Sequence, residues 1–190
     1  MNKGLFWVVV LPFLLMGCDE SVDSVSEKQE VKIEEEKFEK AKVEVKIKRL
    51  EREMFRFKSK QDIANFLEKN PIFVRDYFEV PNAHKEGPFI DQLYMMYTNE
   101  KLKEFYQDNE KFYVEMDDLR EEMNSMFSYL KYYYPNYYVP EINTLVTGFR
   151  FDRDFSFSDS LIVIGLDYFI GSKARYRPQF YDYMLSRYEK

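Results

Sequence analysis

One cysteine stands in the 190 residues, and it closes the stretch Leu15-Met16-Gly17-Cys18. A large apolar residue three places before the thiol and a small one directly before it form the pattern that lipoprotein signal peptidase accepts once the thiol is diacylated. Lys3 supplies the positive start, and Leu5–Met16 is an almost unbroken apolar run. That run falls short of the roughly 20 residues a membrane-spanning helix needs. Residues 1–17 therefore read as an export signal cut between Gly17 and Cys18, and Cys18 as the lipid-bearing residue. Its acyl chains, palmitate among them, hold the protein to a membrane at about 0.8 kcal/mol per buried methylene. The alternative is an ordinary secretory signal with a chance cysteine. It is disfavoured because the only thiol falls where the acylation chemistry requires one. Asp19 and Glu20 follow, and the sequence leaves open whether the anchor sits in the inner or the outer membrane, and on which face.

Other chemistry is hard to assemble. With Cys18 committed, neither a disulfide nor a thiolate metal site can form within the chain. His84 is the one histidine, so the paired histidines of a zinc peptidase are missing, and no G-x-S-x-G elbow presents a serine to it. Its Asn-Ala-His-Lys-Glu-Gly-Pro setting reads as an exposed loop. The six glycines are scattered and build no phosphate loop. Asp152, Asp154, Asp159 and Asp167 flank two strand-like runs, but the calcium-loop spacing is absent and turn formation is the expected role. No catalytic residue, metal or cofactor is expected, and the balance is against an enzyme.

The most unusual local feature is YLKYYYPNYYVP, from Tyr129 to Pro140. Tyr132, Tyr133, Tyr137 and Tyr138 are a candidate binding surface: exposed on one face, such rings could stack on a glycan. The expectation weighed above it is that they close the rim of the core where helix passes into strand.

Charge narrows the partners. The net charge is −6, and no basic stripe matches a phosphate backbone, so nucleic acid is not an expected partner. Between Asp19 and Lys60 twelve acidic residues face twelve basic ones, which places the acidic excess further on. An acidic domain beside anionic headgroups stands off the membrane, leaving envelope proteins as its partners.

The elements that must position these groups follow from periodicity. Residues 18–41 form a charged tether, and 42–190 a single α+β domain rich in helix with three to four strands. Val43, Val45 and Ile47 alternate with charges, the period of a half-buried strand. Ser59 caps a helix with Ile63, Phe66 and Leu67 on one face, and Pro71 ends it and opens the next. Asn82 to Pro88 reads as loop, with short helices at 89–97 and 99–107. Phe112, Met116, Leu119, Met123, Met126, Leu130 and Tyr134 then step by threes and fours, predicting one long helix capped at Asp108 or Asn109 and closed by Pro135. INTLVTGF and LIVIGL read as strands, the second covered on both faces. PQFYDYMLSRYEK reads as a final helix with Phe180, Met184 and Tyr188 on one face.

Three stretches, VEVKIKRLEREMFRF, INTLVTGFRFD and SDSLIVIGLDYFIGSKARYRPQFYDYMLSRY, resemble the gliding-motility lipoprotein family of Bacteroidetes named GldB. The last carries the most, with Gly165-Leu166-Asp167-Tyr168-Phe169, Gly171, and Tyr176 before Pro178. The likeness spans roughly residues 43–190. It implies an envelope lipoprotein that supports gliding motility and linked protein secretion, a non-enzymatic accessory. It also implies a fold related to zinc peptidases, so that the chain would resemble the N-terminal part of such an enzyme without its metal-binding half. A glycan-binding surface lipoprotein is the other alternative.

Overall fold

A computed structural model describes Lys32 and residues 34–149, 154–171 and 174–185. The chain divides after Lys40 into two units. In the first, residues 34–40 are helical and, Phe38 apart, exposed. The expected signal sequence, with Gly17 and Cys18, lies outside the described residues.

In the second unit, residues 41–190, the alternation of Val43, Val45 and Ile47 yields a strand shorter than expected. Strand β1 spans Ile47–Arg49 alone. The reason is competition for backbone donors: Val43 N–H donates to Ser128 Oγ (2.9 Å) and Val45 N–H to Asn124 Oδ1 (2.7 Å). These side chains sit on a helix, so the extended segment is stitched to a helix before it reaches the sheet. Helix α1 (Leu50–Met54) follows at once. Helix α2 (Lys60–Lys69) begins at Ser59, whose hydroxyl accepts from Asp62 N–H while the Asp62 carboxylate accepts from Ser59 N–H. Ile63, Phe66 and Leu67 are its buried residues, as the sequence predicts.

Pro71 opens α3 (Pro71–Phe73), which widens into a π-helical turn over Val74–Phe78. That turn ends at Glu79 in the left-handed region, with Glu79 N–H reaching Val74 O at 3.0 Å. Such turns mark places where a side chain is re-aimed. Here Asp76 Oδ2 accepts from Ser158 Oγ (2.6 Å) and Ser160 Oγ (2.7 Å), and Asp76 Oδ1 from Arg75 Nε (2.5 Å). Two regions more than 80 residues apart are thereby tied together. The Arg75 guanidinium above all, opposed by burial and assisted by the two serines, holds the Asp76 carboxyl well below the usual carboxylate range. A carboxyl depressed in the folded state stabilises above its unfolded pKa and loses that contribution as pH falls. Asp76→Ala should therefore lower stability by about 1–2 kcal/mol near neutral pH. Urea titrations should show the gap to wild type closing in acid.

The Asn82 to Pro88 loop is partly helical: a 3₁₀ turn holds Ala83–Lys85, and Gly87 already begins α4 (Gly87–Tyr97). His84 is half-buried in that turn rather than exposed. Helix α5 runs Glu100–Glu110, with the Asn99 side chain accepting from Leu102 N–H. The long helix α6 covers Asp117–Tyr133, starting later than expected. Asn109 does not cap it: its amide donates to Phe105 O (2.8 Å) and finishes α5. Phe112 lies in the connection and is exposed, as are Met126 and Tyr134. The face turned inward is Met116, Leu119, Met123, Phe127 and Leu130.

Strand β2 is Glu141–Leu145, β3 is Phe155–Phe157, and β4 is Leu161–Gly165. The sheet order is β1-β2-β4-β3, with β1, β2 and β4 parallel and β3 antiparallel at the edge. Every residue of β4 is buried, as its unbroken apolar run predicts. Part of the aromatic content fills the core, and the rest lies at or near the surface. Phe55 stacks on Tyr106 (4.1 Å) and meets Tyr97 edge-on (5.1 Å), Phe57 meets Phe66 (5.4 Å), and Phe73 stacks on Tyr77 (5.1 Å). Of the expected last helix the described residues show Asp182–Leu185, here α7, and Tyr188 lies outside them.

Candidate functional site

The parallel strands β2 and β4 end at the same edge of the sheet, the edge where open α/β sheets place their ligands. Beyond β2 the chain turns sharply. Gly148 has φ +66° and Phe149 φ +57°, two successive left-handed residues. Glycine suits the positive φ at Gly148, and a Cβ there would lie 2.5 Å from Leu102 Cδ1 of α5, so that side chain would have to shift to admit one. Phe149 has no such excuse and is strained in this conformation.

What holds the turn is Asp167, wholly buried in the 3₁₀ turn Leu166–Phe169 that follows β4. Thr147 N–H donates to its Oδ1 (3.1 Å), while Thr147 Oγ1 (2.9 Å) and Phe149 N–H (3.0 Å) donate to its Oδ2. Burial pushes the Asp167 carboxyl up from its ordinary range, and these hydrogen bonds pull against that. From the other side, the Tyr113 hydroxyl lies 3.0 Å from Leu166 O and 2.7 Å from Phe169 O, one donor shared by two carbonyls. Asp167 spends its lone pairs on the loop, so it positions the turn and is not available as a general acid or base.

The pinned turn forms one wall of a crevice of about 1100 Å³. Phe149 meets Phe105 (5.2 Å) and Tyr168 (5.3 Å) edge-on, and Phe105 lies 5.6 Å from Tyr176. Lys101 and Glu104 of α5 face the crevice, as do Arg175 and Arg177 of the segment that runs to Phe180. The stretches that carry the family likeness, INTLVTGF, LDYF and Tyr176 with Pro178, thus converge on one place.

The remaining candidates are dispersed. Among the described residues no three of His, Cys, Asp and Glu lie close enough to hold a metal ion. Asp154 accepts from the next residue's N–H (2.9 Å), a turn role, and Asp159 is exposed. Asp152 lies outside the described residues. Tyr132 is half-buried, with its ring 4.9 Å from that of Tyr133, whereas Tyr137 lies 6.2 Å from Phe127 but is exposed (37%), so only Tyr132 approaches the rim expected of these rings. Tyr133 (69% exposed) and Tyr138 (64%) do not: with Tyr129 and Tyr134 they make an aromatic surface at the end of α6.

Sequence reasoning missed the roles of Asp167, Thr147 and Tyr113. A signal existed for the first: an aspartate directly after LIVIGL sits where a buried run ends, and a buried carboxylate must find donors.

No curated protein and no solved structure matches the chain. The family model described as gliding motility protein GldB matches residues 31–190. That span takes in β1, the sheet and every residue of the crevice, and the chain belongs to the GldB family of gliding motility.

Proposed function

We propose that this protein is a lipid-anchored accessory of the gliding apparatus in the cell envelope, and that it works by contact rather than catalysis. The observation that carries the reading is the family match over residues 31–190. Two features support it. The Leu15-Met16-Gly17-Cys18 stretch supplies a means of anchoring, and no helix among the described residues is long and apolar enough to cross a membrane. The best-built site, the crevice, offers aromatic faces and cations, and the buried Asp167 behind its wall is engaged in holding the fold. These are the materials of recognition.

The anchor has a direct test. In cells fed a labelled fatty acid, the wild-type chain should take up label and run as the shorter, processed form. Cys18→Ala should remain unlabelled and unprocessed, because the peptidase acts only on the acylated thiol. A cleaved, acylated, membrane-bound product from the variant would overturn the anchoring at Cys18.

A further inference from the structure

Among the described residues four charged side chains face the crevice, and three of them, Lys101, Arg175 and Arg177, are cationic against the carboxylate of Glu104. This runs counter to a chain whose net charge is −6. Arg175 is already engaged: its guanidinium lies 5.1 Å from the Tyr176 ring centroid and 4.0 Å from Asp108. Lys101 and Arg177 are exposed and form no ion pair with the described residues. Lys101 lies on α5 and Arg177 on the segment before Phe180, and Phe105, Phe149 and Tyr176 line the same crevice. Cations and aromatic rings lining one crevice suit a ligand that carries negative charge beside an apolar group.

Size and shape narrow the class. The space is at or above the upper end of the roughly 300–1,000 Å³ usual for a small-molecule pocket, and it is an open trough rather than an enclosed chamber. Two such cations are too few to follow a nucleic-acid backbone. The turn that walls the trough is fixed in advance by Asp167, and fixed walls reduce the ordering cost of receiving a flexible chain.

We propose that the crevice receives an acidic, aromatic-bearing peptide segment of a partner protein, held by Lys101 and Arg177 and by the rings of Phe105, Phe149 and Tyr176. Arg177 suits a carboxylate because its planar fork can donate two parallel hydrogen bonds. The inference rests on the contact role proposed above and specifies its chemistry.

The test uses the full-length protein purified from membranes in detergent and a fluorescein-labelled peptide repeating Glu-Glu-Tyr. Anisotropy should report saturable binding that weakens as salt rises, with none for the Lys-Lys-Tyr counterpart. K101E and R177E should each weaken binding about tenfold, with the thermal midpoint unchanged. K60E, whose parent pairs with Asp91 outside the crevice, should bind as wild type does. Equal binding by wild type and the K101E/R177E double variant would overturn the proposal. So would displacement of the peptide by inorganic phosphate at the peptide's own affinity, since the site would then be one for a simple oxyanion. The two levels separate in cells. Normal gliding of a K101E/R177E strain beside a non-gliding deletion strain removes the crevice and leaves the family role; normal gliding of the deletion strain removes the role itself.

Discussion

Asp167→Ala is expected to cost about 3–5 kcal/mol of folding stability, enough to unfold much of a protein of ordinary marginal stability. The cost comes from what remains rather than from the carboxylate itself. Thr147 N–H, Thr147 Oγ1 and Phe149 N–H all donate to Asp167, with Thr147 and Asp167 fully buried, and each buried donor left orphaned costs about 1–3 kcal/mol. The turn they hold contains Phe149 at φ +57°, a conformation that relaxes once its clamp is gone. Asp167→Asn should cost about half as much, because the amide keeps the shape but turns an N–H toward one of the donors. Urea titration of the full-length protein checks both. The pH dependence is opposite in sign to that at Asp76. A carboxyl raised by burial takes up its proton sooner in the folded state than in the unfolded one. The Asp167 contribution therefore becomes more favourable as pH falls toward the ordinary carboxylate range, and acid destabilisation must come from carboxyls such as Asp76.

Arg49→Ala should be comparably damaging, at about 3–5 kcal/mol. Arg49 ends β1 with its side chain 12% exposed, and Nε donates to Glu51 Oε1 at 2.5 Å. Glu51 is fully buried, and its other oxygen accepts from Thr144 Oγ1 of β2 at 2.7 Å. The same guanidinium reaches Tyr113 O (2.5 Å) and Glu110 Oε2 (3.2 Å), so one side chain joins β1, α1, the end of α5 and the residue that clamps the crevice turn. Removing it leaves a buried carboxylate with only a hydroxyl for company. Arg49→Lys should not rescue, since an ammonium lacks the fork that reaches three acceptors in different directions. The Arg49→Ala, Glu51→Gln double variant should be less destabilised than the sum of the singles. A double-mutant cycle reads that difference as coupling; additivity would show that the pair does not act as a unit.

Much of this architecture is legible in the sequence where a local rule decides it. Ser59 with Asp62, Pro71, and the apolar run of β4 each determine their own element, and the family-bearing stretches mark the crevice. The start of α6 was not legible, for a physical reason. The apolar spacing continues through Phe112 and Met116, yet the break between the helices falls there, and Met116 offers no side-chain cap to announce it. β1 is short because Ser128 and Asn124, some 80 residues away, take its backbone donors. The Asp167 clamp and the Arg49–Glu51 pair likewise depend on partners that only the folded chain brings near. Spacing along a sequence cannot reveal a hydrogen bond between β2's turn and β4's end.

The measurement closest to the central claim is the spreading of a strain from which this gene is deleted, with the gene restored in trans as control. Colonies of the deletion strain should fail to spread and recover fully with the wild-type gene. A deletion strain that glides and spreads as its parent does would contradict that claim.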